Sequence, residues 1–163
     1  NRVEPSLIRV EADEVTYSLH VIIRFRLELQ LLEGSLQVAD LPDAWNSLYK
    51  ELLGIEPESY KTGVLQDVHW SAGLLGYFPT YALGNLYAAK FWRAIERDIP
   101  DVWDQIGQGK TVAVLNWLRE KIHRHGKSKS AGELVQEITG ESLDPQAFLT
   151  YLEQKYGDVY GLA

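Results

Sequence analysis

The chain has 163 residues, 45% hydrophobic and 24% charged, a balance that suits one folded region and excludes a disordered segment. A formal net charge of −7, with no basic patch among aromatics, excludes nucleic acid, because phosphate binding needs a basic surface. With no cysteine it can form neither disulfides nor thiolate zinc sites, which fits a reducing cytoplasm.

In chain order the pattern is helical nearly throughout. Pro5 and Ser6 precede a long run that stops at Glu33-Gly34, which predicts the first helix. Along it Arg9, Asp13, Tyr17, His20 and Arg24 recur at steps of three or four and form one polar stripe. The remaining circumference is largely apolar (Val10, Val15, Val21, Ile22, Phe25, Leu29), as in a buried helix. The stripe then faces a cleft or partners inside the protein, although a surface face of ion pairs fits the spacing as well. His20, Arg24, Arg26 and Glu28 interrupt the most hydrophobic window, Leu19 to Leu32. No run approaches the roughly 18–20 apolar residues that span a bilayer, so no membrane partner is expected.

Asp40 to Gly54 predicts a second helix, with Pro42 in its first turn and Trp45, Leu48, Tyr49, Leu52 and Leu53 on one face. Ile55 to Ser71 lacks helical period, and Pro57, Gly63, Val64 and Val68 suggest a loop with a short irregular or β-like stretch near residues 63–70. Thr80 to Arg97 is a strong helix between Pro79 and Pro100. Thr111 to Arg124 is amphipathic, with Val112, Leu115, Leu118 and Ile122 expected inward. Ser130 and Glu133 form a capping-box pattern for a helix ending at Gly140. Asp144-Pro145 opens a last helix with Phe148, Tyr151, Leu152 and Tyr156 apolar and Gly157 as its stop. The expected fold is all-α, with residues 1–163 as a single helical region.

Chemistry concentrates between Gly63 and Ala89. Gln66, Asp67 and His69 precede a Gly-rich turn, and Tyr77 and Tyr81 follow it near a helix start. Imidazole N–H and phenol O–H donors suit the oxyanion that builds up when a carbonyl is attacked. Arg9 and Arg24 are the residues suited to a carboxylate. The alternative is that both tyrosines pack in the core with satisfied hydroxyls and His69 is a turn residue. His123 and His125 flank Arg124 before a Lys-rich loop, as at a solvated helix end. Gly107 to Thr111 lacks the spacing and preceding strand of a phosphate loop. No HExxH occurs, so no residue is assigned to a metal.

Ile8-Arg9-Val10-Glu11-Ala12-Asp13 resembles an IRxxAD motif, and Gly63 to Trp70 matches GxxQDxHW at every fixed position. Together with GYFPTYALGN (Gly76 to Asn85), these segments are similar to the thermostable metallocarboxypeptidases of the carboxypeptidase Taq type, nearly end to end. The resemblance implies a helical cleft peptidase that removes residues singly from peptide C-termini with broad specificity. In that family an HExxH helix and a downstream Glu hold zinc or cobalt, upstream of the IRxxAD segment. This chain is therefore expected to be a C-terminal portion, a truncation consistent with its start at Asn1 and its lack of Met.

Several roles follow from the resemblance. His69, Tyr77 and Tyr81 become catalytic candidates that bind the peptide or its oxyanion. Arg9 is expected at the substrate's C-terminal carboxylate or as a limit on substrate length, and Gln66 and Asp67 hold the loop. The isolated 1–163 chain is expected to bind no metal and to be inactive, its partners being peptide substrates, the missing metal-binding part and a second copy in a homodimer. The alternative function is a non-catalytic helical interaction module, with Trp45, Tyr49, Trp92, Trp103 and Trp117 lining a groove.

Overall fold

The first helix begins later than the sequence pattern suggests. In the computed structural model, which describes residues 1–162, Arg9–Glu11 is a separate 3-10 turn and α1 runs Tyr17–Glu33. Asp13 causes the break. Its Oδ1 accepts from the amides of Val15 and Thr16, both at 2.9 Å, and its Oδ2 accepts from the Thr16 hydroxyl at 2.8 Å. These bonds favour a turn over a continued helix, because a short carboxylate competes for nearby backbone donors. The polar stripe is thus divided, and only Tyr17, His20 and Arg24 lie on α1. Gly34 closes the helix with φ 75°, a left-handed conformation that a Cβ would strain.

The expectation of an all-round buried first helix is also corrected. Ile22, Phe25, Leu29 and Leu32 are exposed, while Val21, Ile23 and Leu27 are buried. Helix α2, Leu41–Leu53, packs against α1 with Pro42 in its first turn, as its periodicity predicts. Ile23 and Leu27 from α1 meet Leu41, Trp45, Tyr49 and Leu53 from α2, with Leu7, Val64 and Trp70 packed around them.

Residues 54–78 form consecutive turns, and no strand occurs among the described residues. The β-like stretch expected near 63–70 is therefore irregular backbone. Val64 is half-buried and Val68 exposed, so neither has a pairing strand that its β-propensity would reward. Helix α3 follows over Pro79–Asp98.

The chain divides into two compact units, one ending at Leu83 and the other starting at Gly84. In the second, Ala94 and Ile95 from α3 pack with Val102 from α4 (Val102–Gly107) and Trp117 from α5 (Val112–Lys121). Helix α4 is absent from the sequence expectations, being too short to show a period. On α5, Val112 and Leu115 are exposed instead of inward, while Leu118 and Ile122 join the core and Trp117 is buried. The bulkier Trp117 sets the buried face and anchors it by donating from Nε1 to Asp98 at 2.9 Å.

Helix α6, Ala131–Thr139, carries the expected reciprocal Ser130–Glu133 capping box and ends at Gly140. Helix α7, Gln146–Tyr160, continues through Gly157 to stop at Gly161. A lone glycine within a helix costs only about 1 kcal/mol, which the buried Tyr156 and its neighbours offset. No helix among the described residues is long and apolar enough to cross a membrane.

Candidate active-site wall

His20, Arg24 and Glu28 lie four residues apart on α1, so they share one face, and all three are buried (0%, 0% and 2% exposed). Buried charge needs partners, and the turns of residues 54–78 supply them. Asp67 stands between two guanidinium groups. Arg24 Nε donates to its Oδ2 at 2.6 Å, and Arg9 Nη2 donates to its Oδ1 at 2.8 Å. The Arg9 backbone amide and Arg24 Nη2 both donate to Gln66 Oε1, at 2.9 and 2.8 Å. Gln66 Nε2 in turn donates to the carbonyls of Leu7 and Thr62, both at 2.9 Å.

Aromatic rings wall this polar layer. The Arg24 guanidinium lies 4.6 Å from the Trp45 ring, and that of Arg9 lies 4.7 Å from the Tyr81 ring. Trp45 stacks on Tyr49 at 5.1 Å. Phe78, 1% exposed, inserts beside His69 with ring centroids 4.4 Å apart.

Burial alone would raise the Asp67 carboxyl, but hydrogen bonds and positive charge from Arg9 and Arg24 outweigh it and hold the group below its usual range. Burial, largely, raises the Tyr49 phenol. His20 is pushed down to about 4, first by desolvation and then by the charges of Arg24 and Arg9. Its Nδ1 lies 3.1 Å from the Tyr49 hydroxyl, while its Nε2 is buried without a hydrogen-bond partner among the described residues.

The low value carries a testable sign. A histidine held neutral in the fold binds its proton on unfolding, so unfolding takes up protons between pH 6.5 and about 4. His20 therefore contributes stability that is full above pH 6.5 and is lost as the pH falls toward 4. The separation corresponds to roughly 3 kcal/mol at most. Denaturant titrations across this window should show that slope, and His20→Phe, which keeps a ring but cannot titrate, should abolish it.

His69, 9% exposed, and the half-buried Tyr81 adjoin this layer. His69 Nε2 is hydrogen-bonded to the Tyr81 hydroxyl at 2.9 Å, and its Nδ1 is 3.8 Å from Asp67 Oδ1, beyond a hydrogen bond. Tyr77 completes an aromatic trio, its ring 5.5 Å from His69 and 5.4 Å from Tyr81, and it is 42% exposed.

All six candidate residues thus converge. Arg9, 6% exposed, faces Asp67 and also donates from Nη1 to the Tyr17 hydroxyl at 3.1 Å. Arg24, Tyr49, His20 and Glu28 belong to the same layer but are missing from the motif-based set. For His20, Arg24 and Glu28 the signal was their four-residue spacing inside the most hydrophobic window, whereas Tyr49 lies on the apolar face of α2.

His123 and His125 lie in a 3-10 turn with no buried residue. A surface cavity of about 510 Å³ involves Arg97, Lys121, Arg124 and Glu137, but none of the expected site residues. Of the five aromatics offered for an interaction groove, Trp45, Tyr49 and Trp117 are buried, whereas Trp103 is 60% exposed and packs on Trp92 with ring centroids 5.1 Å apart.

Residues 1–156 match the family model described as carboxypeptidase Taq (M32) metallopeptidase. The chain belongs to the M32 family. It is 50% identical to thermostable carboxypeptidase 1 of Thermus thermophilus over 161 residues, which cover 99% of this chain and 32% of that protein. It is 43% identical to carboxypeptidase 1 of Bacillus subtilis, covering 98% and 32%. Among solved structures, the M32 carboxypeptidase of Deinococcus radiodurans superposes with a TM-score of 0.95 at 44% identity, covering 98% of this chain and 32% of that one. The chain therefore spans about a third of the length of these M32 relatives. The all-α fold is shared with them.

Membership in M32 implies a metal in the full-length enzyme. Among the described residues no three His, Cys, Asp or Glu side chains converge to hold one. Asp67 is taken by two arginines and His69 Nε2 by Tyr81, so this donor set does not fit the ion.

Proposed function

We propose that this chain is the substrate-handling part of a metal-dependent carboxypeptidase that releases C-terminal amino acids from peptides. The observation that carries the reading is the His69–Tyr81 pair, with Tyr77 beside it, next to a carboxylate held by two buried arginines. The catalytic ion, zinc or cobalt in the family this chain resembles, would be held by residues outside it. In this division of labour His69 Nε2–H donates to the Tyr81 oxygen and so frees the Tyr81 O–H, which together with that of Tyr77 faces the scissile carbonyl, where negative charge develops. Phe78 and the cation–aromatic layer behind them exclude water.

Arg9 and Asp67 fix that wall, and the Arg9 N–H groups not used by Asp67 and Tyr17 are the ones that could meet a substrate carboxylate. Preorganised donors matter because they cost no rearrangement during reaction. The homodimer implied by the resemblance remains the proposed assembly.

The reading is tested with the full-length protein loaded with Zn²⁺ or Co²⁺ and given a short N-blocked peptide. Stepwise release of C-terminal residues, abolished by chelation and restored by metal, is expected. A folded, metal-loaded protein that releases nothing would rule the proposal out.

A further inference from the structure

We infer that Glu28 is a positioning residue that holds the Gly73–Gly76 turn so that Tyr77 stands against His69. The inference rests on the role proposed above for Tyr77. Glu28 belongs to neither sequence motif and sits mid-helix on α1, 2% exposed. Its Oε1 accepts from the backbone amide of Gly76, and its Oε2 is buried with no hydrogen-bond partner among the described residues.

A carboxylate removed from water is costly, and a single backbone donor repays it poorly unless that contact is kept for another reason. The turn supplies one. It starts from the His69 backbone, whose carbonyl accepts from the Leu74 amide at 2.8 Å, and Gly73 N–H donates to the Trp70 carbonyl at 3.0 Å. It ends at Gly76, in the left-handed region with φ 77°. A Cβ at Gly76 would meet nothing within 4 Å, so backbone conformation, not space, calls for glycine there.

Leu74, Leu75 and Gly76 are exposed, so packing gives little hold on this stretch. Tyr77 is held on its C-terminal side by its own carbonyl, which accepts from the Thr80 amide at 3.0 Å and the Thr80 hydroxyl at 2.6 Å, and its neighbours on either side are anchored as well. The Gly76 amide is tied to Glu28, and the Phe78 side chain is buried beside His69. Releasing the first anchor frees the Tyr77 ring from the trio it forms with His69 and Tyr81.

The experiment compares Glu28→Leu with Glu28→Gln in the metal-loaded full-length enzyme. Glu28→Leu, which removes the acceptor, should raise amide exchange over residues 74–78 by about tenfold and bring kcat, more than KM, down to the level of Tyr77→Phe. Glu28→Gln keeps an oxygen that can accept from Gly76 and should stay within about threefold of wild type on both readouts. Exchange at the amides of α2 reports the fold. Unchanged exchange over 74–78 in Glu28→Leu, equal loosening of α2, or a Gln variant as loose as the Leu variant would each overturn the inference. The exchange arm needs no turnover. A turn loosened selectively in an enzyme without carboxypeptidase activity would support the Glu28 contact and count against the proposed function.

Discussion

Replacing Asp67 by Ala is expected to destabilise the first unit by about 3–5 kcal/mol, the cost of leaving buried charge without its partner. Two guanidiniums lose their counter-ion at once, because Arg24 is 0% and Arg9 6% exposed and Asp67 is the carboxylate that both contact. A guanidinium keeps its charge in proteins, so the penalty stays. Rearrangement toward water is blocked by Trp45 and Tyr81, against which the two groups are packed.

Asp67→Asn should cost less, since one oxygen still accepts from an arginine, but its amide hydrogens would face the other guanidinium. Acid should mimic the loss. The Asp67 carboxyl is depressed in the fold, so its contribution is complete above its unfolded value of 3.8 and is lost as the pH falls through the lower folded value. Its window lies below that of His20, and both push the same way. Urea denaturation of wild type, Asp67→Ala and Asp67→Asn at neutral pH measures the effect. An Asp67→Ala midpoint equal to that of wild type would mean that the arginines find other partners.

The second large effect belongs to His69. In the metal-loaded full-length enzyme, His69→Ala is expected to lower kcat by about 10²–10³, the loss seen on removing one preorganised oxyanion donor. Because His69 Nε2 and the Tyr81 hydroxyl are hydrogen-bonded to each other, they should act as one unit. His69→Ala, Tyr81→Phe and the double variant should therefore lose similar amounts, whereas independent residues would multiply their losses.

Tyr77 makes ring contacts with both but no hydrogen bond to either, so Tyr77→Phe should combine with His69→Ala nearly multiplicatively. His69→Gln serves as the control for lost packing on Phe78. Steady-state kinetics on one blocked peptide decide the matter. Losses below about threefold for His69→Ala would remove His69 from the chemistry, and full multiplicativity with Tyr81→Phe would break the pair.

The sequence by itself determined what depends on near neighbours. The spacing of Trp45, Tyr49 and Leu53 marked the buried face of α2, and Ser130 with Glu133 marked the start of α6, because period and capping act within a turn or two of chain. The IRxxAD and GxxQDxHW segments pointed to the family. Even so, local pattern misplaced the start of α1, where Asp13 breaks the helix, and the end of α7, which passes Gly157.

Only the tertiary structure decided that Arg9 and Arg24, 58 and 43 residues from Asp67, share that one carboxylate. It also decided that Tyr49, which looks like a core aromatic, gives its hydroxyl to the polar layer, and that Glu28 holds Gly76. These pairings run through residues 54–78, a stretch without helical period whose path is set by burying Phe78 and satisfying Gln66 and Asp67. Periodicity tells which residues turn inward on a helix. Which distant group meets them there depends on how an irregular segment closes, and that is settled by the desolvation of buried charge, a cost that exists only once the chain has packed.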